Sequence, residues 1–438
     1  MRFFVAPVVV ALFAACGSPE RRGGGDDVGE PDACVGLECR IVNCAARNMP
    51  ETSISGTVFA PNGTLALFGV TVYIPASPPG VLTDGVQCSQ CQDSLLGGSV
   101  AAVQSDEAGK FTLTKVPSGI NVPLVIQVGK WRRLVDAPEI LPCQDNVLPA
   151  NITSLPKNKA EGDLPKIAMT TGSWDALECL VKKLGVDPKE FTTDGGAGRI
   201  HLYSGNGATG LSDGTPMANA DTLWGDVNKL KTYDIAAFSC EGHEHPGTTP
   251  AMMANVKAFA DLGGRIFMSH YHAQWISGHH TSITPAPIDV PQQVWPSVAT
   301  CNIDSTPPNS TGIIDTVNNP KGSAFATWMA NVGAGGGTFG ITESRESCTA
   351  VDNTKAERWV YVQGTGTQQV PQNFQFTTPQ ESPKDNRCGK VVFSDMHVSA
   401  GGSSGNFPSS CSAAPLTPQE KALAFMFFDI ASCVGPIL

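Results

Sequence analysis

Three stretches in the C-terminal half are almost continuously apolar, and they constrain the fold more than any other feature. They are residues 233–239, 265–269 and 390–393. A strand with successive apolar residues is buried on both faces, as in parallel sheets covered by helices. Between the first two lies a helix pattern over 250–262, with Thr249 as N-cap, Pro250 at the first helical position and Gly263 after the end.

Strand and helix patterns alternate through the surrounding residues. Further strands are predicted at 166–170, 199–203 and 358–363, and further helices at 174–184, 222–230 and 324–332. The capping box that runs from Thr417 to Glu420 opens a final helix that ends near 431. This order predicts an α/β domain with a mostly parallel sheet over residues 164–438.

Residues 51–135 carry a different pattern. Short alternating strands at 54–59, 70–75, 110–113 and 122–128 are separated by turn signals such as Pro61-Asn62-Gly63. The pattern predicts an all-β sandwich, joined to the α/β domain by a Pro- and Asn-rich linker over 136–163. With residues 55–58, 70–75 and 106–116, this region resembles the carboxypeptidase regulatory-like domain. The resemblance implies an immunoglobulin-like spacer or binding module without catalytic residues.

The N-terminus reads as a targeting segment. Arg2 precedes an apolar run over 3–14 that is too short to span a bilayer, and small residues lead to Cys16. Residues 12–16 resemble a bacterial lipobox, with Phe13 where that pattern has an aliphatic residue. The resemblance implies a signal peptide over 1–15, acylation of Cys16 and a membrane-anchored lipoprotein of the cell envelope. The alternative is an ordinary secretory signal with an unrelated cysteine.

Residues 16–50 predict a flexible tether, because they are polar, Gly-rich and without apolar periodicity. At its far end Cys34, Cys39 and Cys44 are expected to form disulfides that attach the chain to the first folded unit, or else to form a metal knuckle.

The fourteen cysteines of the chain indicate an oxidising compartment. Removing Cys16 leaves an odd number, so at least one thiol is unpaired or bonded to another chain. The Cys88-x-x-Cys91 pair predicts a structural disulfide or redox pair rather than a zinc site.

The charge of the chain limits the classes of molecule that it is expected to bind. A net charge of −11 without basic runs argues against nucleic acid, and no later stretch is apolar enough to span a membrane. Two glycine patterns, at 205–210 and 335–340, lack the strand-turn-helix context of a dinucleotide site, so no nucleotide cofactor is expected.

Polar residues follow each of the three apolar strands. Cys240, Glu241, His243, Glu244 and His245 follow the first; His270 and His272 follow the second; Asp395 and His397 follow the third. Open α/β sheets place their ligand crevice at these carboxyl ends.

With the Gly-Gly-Arg-Ile-Phe run at 263–267 and the Gly-Lys-Val-Val-Phe run at 389–393, residues 164–434 resemble the class I glutamine-amidotransferase-like fold, in particular its ThuA-like branch. In amidotransferases a cysteine on a tight strand-to-helix turn is activated by a histidine and a carboxylate. The resemblance implies that Cys240 takes this place, although Phe238 stands where the family prefers Gly. Cys240, Glu241 and His270 are then the catalytic candidates, with Glu244 as an alternative base. The other interpretation is a buried or disulfide-bonded Cys240.

The histidines predict a metal site. Side chains two residues apart share one face of an extended backbone, and imidazoles with a carboxylate suit zinc or another divalent metal. The predicted ligands are His243, His245, His270, His272, Asp395 and His397. Alternatively, these histidines are hydrogen-bonding residues of a glycan or peptide crevice.

Two functions are therefore left open. One is a non-catalytic envelope lipoprotein whose α/β domain binds an extracellular glycan, peptide or protein partner. The other is a metal- or cysteine-dependent hydrolase that acts on an extracellular polar substrate.

Overall fold

The computed structural model describes residues 36–91, 95–277, 294–305, 307, 310–398 and 405–434, and for 302–305 the backbone alone. The predicted signal peptide, the lipid site at Cys16, Cys34 and most of the tether lie outside these residues.

Two small sheets occupy the region predicted to be all β. Their strands are β1 Ser53–Thr57, β2 Thr71–Ile74, β3 Ala101–Gln104, β4 Lys110–Thr114, β5 Val122–Val128, β6 Trp131–Ala137 and β7 Asp145–Val147. The orders are β4-β1-β7 and β3-β2-β5-β6, antiparallel except for the β1–β7 pair. Alternation places Phe111 and Leu113 in the core while their neighbours on β4 are exposed.

A large mixed sheet follows a short helix, α1 (Ala150–Thr153), and fits the predicted α/β domain. The strands after β7 are β8 Ile167–Thr170, β9 Phe191–Thr193, β10 Ile200–Ser204, β11 Ala218–Asn219, β12 Ile235–Phe238, β13 Arg265–Ser269, β14 Ala299–Ser305, β15 Thr311–Ile314, β16 Thr338–Gly340, β17 Glu346–Val351, β18 Ala356–Gln363, β19 Gln369–Thr378 and β20 Gly389–Ser394. The sheet order is β11-β10-β8-β12-β13-β20-β19-β18-β15-β16, with β9 beside β10, and β14 pairs with β17 separately. Pairing is parallel as far as β20 and antiparallel beyond it.

The remaining helices are α2 Leu177–Lys183, α3 Asp221–Trp224, α4 Val227–Leu230, α5 Pro250–Asp261, α6 Gln274–Ser277, α7 Gly322–Asn331 and α8 Pro418–Ala431. The predicted caps of α5 and α8 are confirmed, since Thr249 accepts from the backbone of Met252 and Thr417 from that of Glu420. The helix predicted at 222–230 divides at Gly225, after which Asp226 caps α4.

All residues of β12, β13 and β20 are buried, as their apolar sequences predict. The described residues from 36 onward form one compact unit, in which the predicted linker carries β7 and α1. Within the described ranges, no helix is both long and apolar enough to cross a membrane.

Five disulfides cross-link the described residues: Cys44–Cys143, Cys88–Cys388, Cys91–Cys433, Cys179–Cys411 and Cys301–Cys348. Cys88 and Cys91 do not bond each other. Each instead ties the segment between β2 and β3 to the α/β region. This number of disulfides indicates a protein that is not cytoplasmic.

Candidate functional site

The carboxyl ends of four neighbouring parallel strands, β8, β12, β13 and β20, bring three chemically active side chains together. Cys240, His270 and His397 are each buried, and one ligand atom from each lies within 4.8 Å of the others. Because each side chain follows a different strand, the sheet order itself assembles the cluster. We refer to these three residues as the Cys-His-His cluster.

Cys240 is the reduced cysteine of the described chain, and its side chain is 0 % exposed. Its Sγ lies 3.1 Å from Nδ1 of His270, and the backbone N–H of Gly242 donates to it at 3.4 Å. The backbone around Cys240 packs tightly, since a Cβ at Gly172 would lie 2.1 Å from the Cys240 carbonyl oxygen. Gly172 therefore permits a close approach that no larger residue allows.

His270 occupies the sharp turn that the amidotransferase resemblance assigned to Cys240. It has a φ of +46°, directly follows β13 and is the first residue of a 3₁₀ turn over His270–Ala273. A non-glycine residue in this left-handed region is uncommon and marks strain that the surrounding packing must hold. Cys240, in contrast, opens a loop of about ten residues before α5 begins at Pro250. The placement of Cys240 at the turn was therefore wrong, because the strand that runs straight into a helical turn is β13.

His397 completes the cluster from the end of β20. Its ring centroid lies 5.0 Å from that of His270, at an interplanar angle of 73°. Its carbonyl oxygen accepts a short hydrogen bond from Nε2 of Gln419 in α8, which ties the loop after β20 to the final helix.

Asp175 supports the cluster from behind, and the sequence patterns did not single it out. Its Oδ2 accepts from the hydroxyl of Ser269 at 2.5 Å, and its Oδ1 accepts from the backbone N–H of Val398 at 2.8 Å. One carboxyl group thus fixes the residues next to both His270 and His397. Burial raises the pKa of Asp175 to about 6.

The six predicted metal ligands are not all brought together. His270 and His397 join Cys240, whereas His272 uses both ring nitrogens elsewhere: Nε2 donates to the Ser239 carbonyl at 3.0 Å and Nδ1 accepts from the indole of Trp275 at 2.9 Å. Burial lowers the pKa of His272 to about 4. His272 is therefore a neutral structural residue outside the cluster.

His245 belongs to a separate charged group. Its Nδ1 lies 2.8 Å from Oε2 of Glu241, and its Nε2 lies 2.9 Å from Oδ1 of Asp221. Burial lowers the pKa of His245, but the hydrogen bonds and charges of the two carboxylates outweigh it and raise the pKa above its ordinary value. Glu241, a predicted catalytic residue, therefore bonds His245 and is not part of the Cys-His-His cluster.

The other predicted residues also have roles outside the cluster. The Nδ1 atom of His243 lies 2.8 Å from the Glu244 carbonyl oxygen, and burial raises the pKa of the Glu244 carboxyl to about 8. Asp395 accepts from both the backbone N–H and the hydroxyl of Ser347, at 3.0 and 2.7 Å. Burial is also the main cause of the raised pKa of Asp395.

Trp174 marks the solvent side of the loop that follows Cys240. Its indole is 48 % exposed and lies so close to Gly242 that a Cβ there would be 2.1 Å from the ring. The guanidinium of Arg345 lies 5.9 Å from the ring centroid. An exposed aromatic face beside a cation offers a contact surface for a polar ligand.

Comparisons with known proteins do not assign a family. No protein-family model and no curated protein matches the chain. Among solved structures, a ThuA-like protein from Bacteroides uniformis is 14 % identical with a TM-score of 0.32, covering 60 % of this chain and 91 % of its own. A cytoplasmic protein of Salmonella typhimurium is 13 % identical with a TM-score of 0.30, covering 60 % and 98 %.

A type II cohesin–X-dockerin complex from Acetivibrio cellulolyticus is 14 % identical with a TM-score of 0.17, covering 32 % of this chain and 75 % of that one. Because all three TM-scores are below 0.5, these similarities carry no functional inference.

Proposed function

We propose that this protein is an exported metal-binding protein of the cell envelope, in which the Cys-His-His cluster holds zinc or a similar divalent ion beside a ligand-binding surface. The observation that carries the proposal is a reduced cysteine in a disulfide-rich chain, 3.1 Å from one buried histidine and beside a second. A thiolate with two imidazoles is a donor set that suits zinc.

The distances in the cluster are compatible with a single ion. Zinc–sulfur and zinc–nitrogen bonds of about 2.3 and 2.0–2.1 Å place the ligand atoms of a tetrahedral site roughly 3.3–3.6 Å apart. The Cys240–His270 separation of 3.1 Å and the limit of 4.8 Å for the whole cluster bracket this spacing. The buried carboxyl group of Asp175, which lies near enough to act on His270, favours a cation there.

Elemental analysis of the protein expressed with added zinc tests the proposal. We expect one zinc per chain in the unmodified protein and a loss of most of it in Cys240→Ser and His397→Gln. His243→Gln is the matched control, because that ring bonds a carbonyl oxygen outside the cluster, and it should keep the zinc. Full zinc in Cys240→Ser, or none in the unmodified protein, would contradict the proposal.

The ligand is proposed to be an extracellular glycan or peptide that contacts Trp174. This residue presents the exposed aromatic face nearest to the loop after Cys240. Trp174→Ala should therefore weaken binding of oligosaccharides on a glycan array without changing the zinc content. If Trp174→Ala bound oligosaccharides as well as the unmodified protein does, Trp174 would not be part of the ligand-binding surface.

Hydrolysis is a second candidate, favoured by the number of protein ligands. Three protein ligands are typical of catalytic zinc sites, which leave a fourth position for water or substrate. Glu244 is then the better candidate for a base than Glu241, which is bonded to His245. Hydrolysis of p-nitrophenyl acetate that rises with zinc and is lost in Cys240→Ser and His397→Gln would support the enzyme, whereas zinc binding without turnover favours the binding protein.

The envelope location is proposed to rest on a lipid at Cys16, with the small sheets serving as an immunoglobulin-like spacer. The disulfides of the described residues agree with export. On phase separation in detergent, the unmodified protein should enter the detergent phase and Cys16→Ser the aqueous phase. Retention of Cys16→Ser in the detergent phase would contradict lipidation.

A further inference from the structure

A cavity of about 1110 Å³ opens at the amino ends of the central strands, opposite to the Cys-His-His cluster. Asp234 and Arg265, which lie at the starts of β12 and β13, line one wall, and residues of β2, β3 and β5 line another. Its size slightly exceeds the usual range of roughly 300–1,000 Å³ for small-molecule sites. The proposed metal chemistry makes no use of this cavity.

Most of the cavity wall is apolar. Trp328 of α7 and Phe425 and Phe428 of α8 line it together with Phe68 and with Leu82, which lies in the segment between β2 and β3. The rings of Phe68 and Phe425 are stacked at 6.3 Å. Disulfides Cys88–Cys388 and Cys91–Cys433 attach that segment to the α/β region, so the wall it forms is cross-linked in place. The cavity is therefore suited to an apolar body.

One end of the cavity carries an excess of positive charge. Lys321 and Lys390 both bond the carboxylate of Asp429, at 2.9 and 3.3 Å. Arg265 is buried, and within the described residues no carboxylate lies in ion-pair range of its guanidinium. Its donors go to the carbonyl oxygens of Gly263, Cys388 and Ser432.

The other charges nearby do not cancel this excess. Lys130 and Asp234, which also line the cavity, form an ion pair of their own. The C-terminal end of α8 offers carbonyl oxygens to Lys390 and Arg265, worth about half a charge. Glu357 acts on the lysines from a greater distance. About one positive charge is left facing an apolar space, in a chain whose net charge is −11. This combination selects for an apolar molecule that carries a single negative charge.

We propose that this cavity binds an amphipathic carboxylate such as a fatty acid. The hydrocarbon chain of the ligand lies against Trp328, Phe425 and Phe428, and its carboxylate pairs with Arg265 and Lys321. Arginine in particular matches a carboxylate geometrically. Burial lowers the pKa of Arg265 to about 10, which leaves the guanidinium charged at neutral pH.

Titration calorimetry of the full chain with decanoate tests this site. Decanoate should bind, whereas 1-decanol and decyltrimethylammonium should bind at least about tenfold more weakly, since neither can accept a charge-assisted hydrogen bond from Arg265. Ala102→Trp should abolish binding, because Ala102 is exposed on β3 and lines the cavity, so the indole blocks the space without disturbing the core.

Two charge variants separate recognition from a structural role. Lys321→Gln should weaken the binding of decanoate, and Asp429→Asn should strengthen it by removing the competing carboxylate. If these charged residues had only a structural role, both variants would lose decanoate binding. Lys355→Gln, which breaks a surface pair with Asp352 and a hydrogen bond to the Ser297 carbonyl, is the matched control and should bind normally. No binding of decanoate, equal binding of decanol, or normal binding by both Lys321→Gln and Ala102→Trp would overturn the proposal.

Discussion

Individual side chains at the carboxyl ends of the strands divide into a reactive group and a supporting group. Cys240, His270 and His397 converge, while His272 and His245 are hydrogen bonded at both ring nitrogens. An i, i+2 spacing predicts a shared face only while the backbone is extended. His270 begins a helical turn at a positive φ, so His272 points elsewhere.

The buried carboxyl group of Glu244 makes the stability of the folded protein depend on pH. Burial raises the pKa of its carboxyl from 4.5 to about 8 in the folded protein. The folded state therefore holds the proton more tightly than the unfolded chain between these values, and its stability falls as the pH rises from about 4.5 through 8. Glu244→Gln should be more stable than the unmodified protein at pH 8.5 by at least about 1 kcal/mol, and this advantage should vanish near pH 4.5.

Thermal unfolding of both proteins across this pH range, with the disulfides intact, measures the effect. An advantage that stays the same from pH 4.5 to 8.5 would show that the carboxyl of Glu244 does not titrate in this window.

Much of this chemistry could be predicted from residues alone, and the exceptions have a physical reason. Cys240, His270 and His397 were identified because each follows a buried strand. Asp175 was missed, although it follows the buried strand β8 in the same way, because it falls within the helix predicted at 174–184, whereas α2 begins only at Leu177. The bond between Ser347 and Asp395 joins residues 48 apart in sequence, which no local pattern reveals.

Helix α8 joins several parts of the α/β region. Its capping-box residue Glu420 is fully buried and accepts from Lys183 of α2 at 2.7 Å and from the backbone of Thr417 at 2.8 Å. One carboxylate therefore both caps α8 and pairs it with α2. The local capping role was predictable from the sequence, whereas the partner on α2 is 237 residues away.

Lys183→Met should destabilise the protein by about 3 kcal/mol, because it leaves the buried carboxylate of Glu420 without its cation. Urea unfolding with intact disulfides measures the loss. Lys182→Met, one residue away, is the control and should change stability by less than about 0.5 kcal/mol. Adding Glu420→Gln to Lys183→Met should recover part of the loss. A double variant that is no more stable than Lys183→Met would exclude an unpaired charge as the cause.

The mixed character of the large sheet was not predicted. Strands β8, β10, β12, β13 and β20 were expected from their apolar sequences, but β19 was missed. Its Gln, Asn and Pro residues mask the pattern of a strand, although eight of its ten positions are buried. Polar side chains such as Gln372 are accommodated there by bonds to the neighbouring backbone, which local propensity does not reveal.

For the whole molecule, long-range disulfides join regions that the sequence presents as separate. Cys88 and Cys91 lie in a segment between two strands of the small sheets, yet they bond residues 300 and 342 positions away. Connectivity over such distances cannot be deduced from spacing, which is why this pair was expected to be local. The pairing leaves Cys240 as the reduced cysteine of the described residues. A thiol that stays reduced in such a chain agrees with a role as a metal ligand.

Replacing zinc with cobalt(II) and recording the absorption spectrum tests whether Cys240 is a metal ligand, since a sulfur ligand gives cobalt a thiolate charge-transfer band in the near ultraviolet. We expect this band in the unmodified protein and in His243→Gln, and its loss in Cys240→Ser. Cobalt binding without the band, or a band that persists in Cys240→Ser, would contradict the proposal that Cys240, His270 and His397 hold the metal.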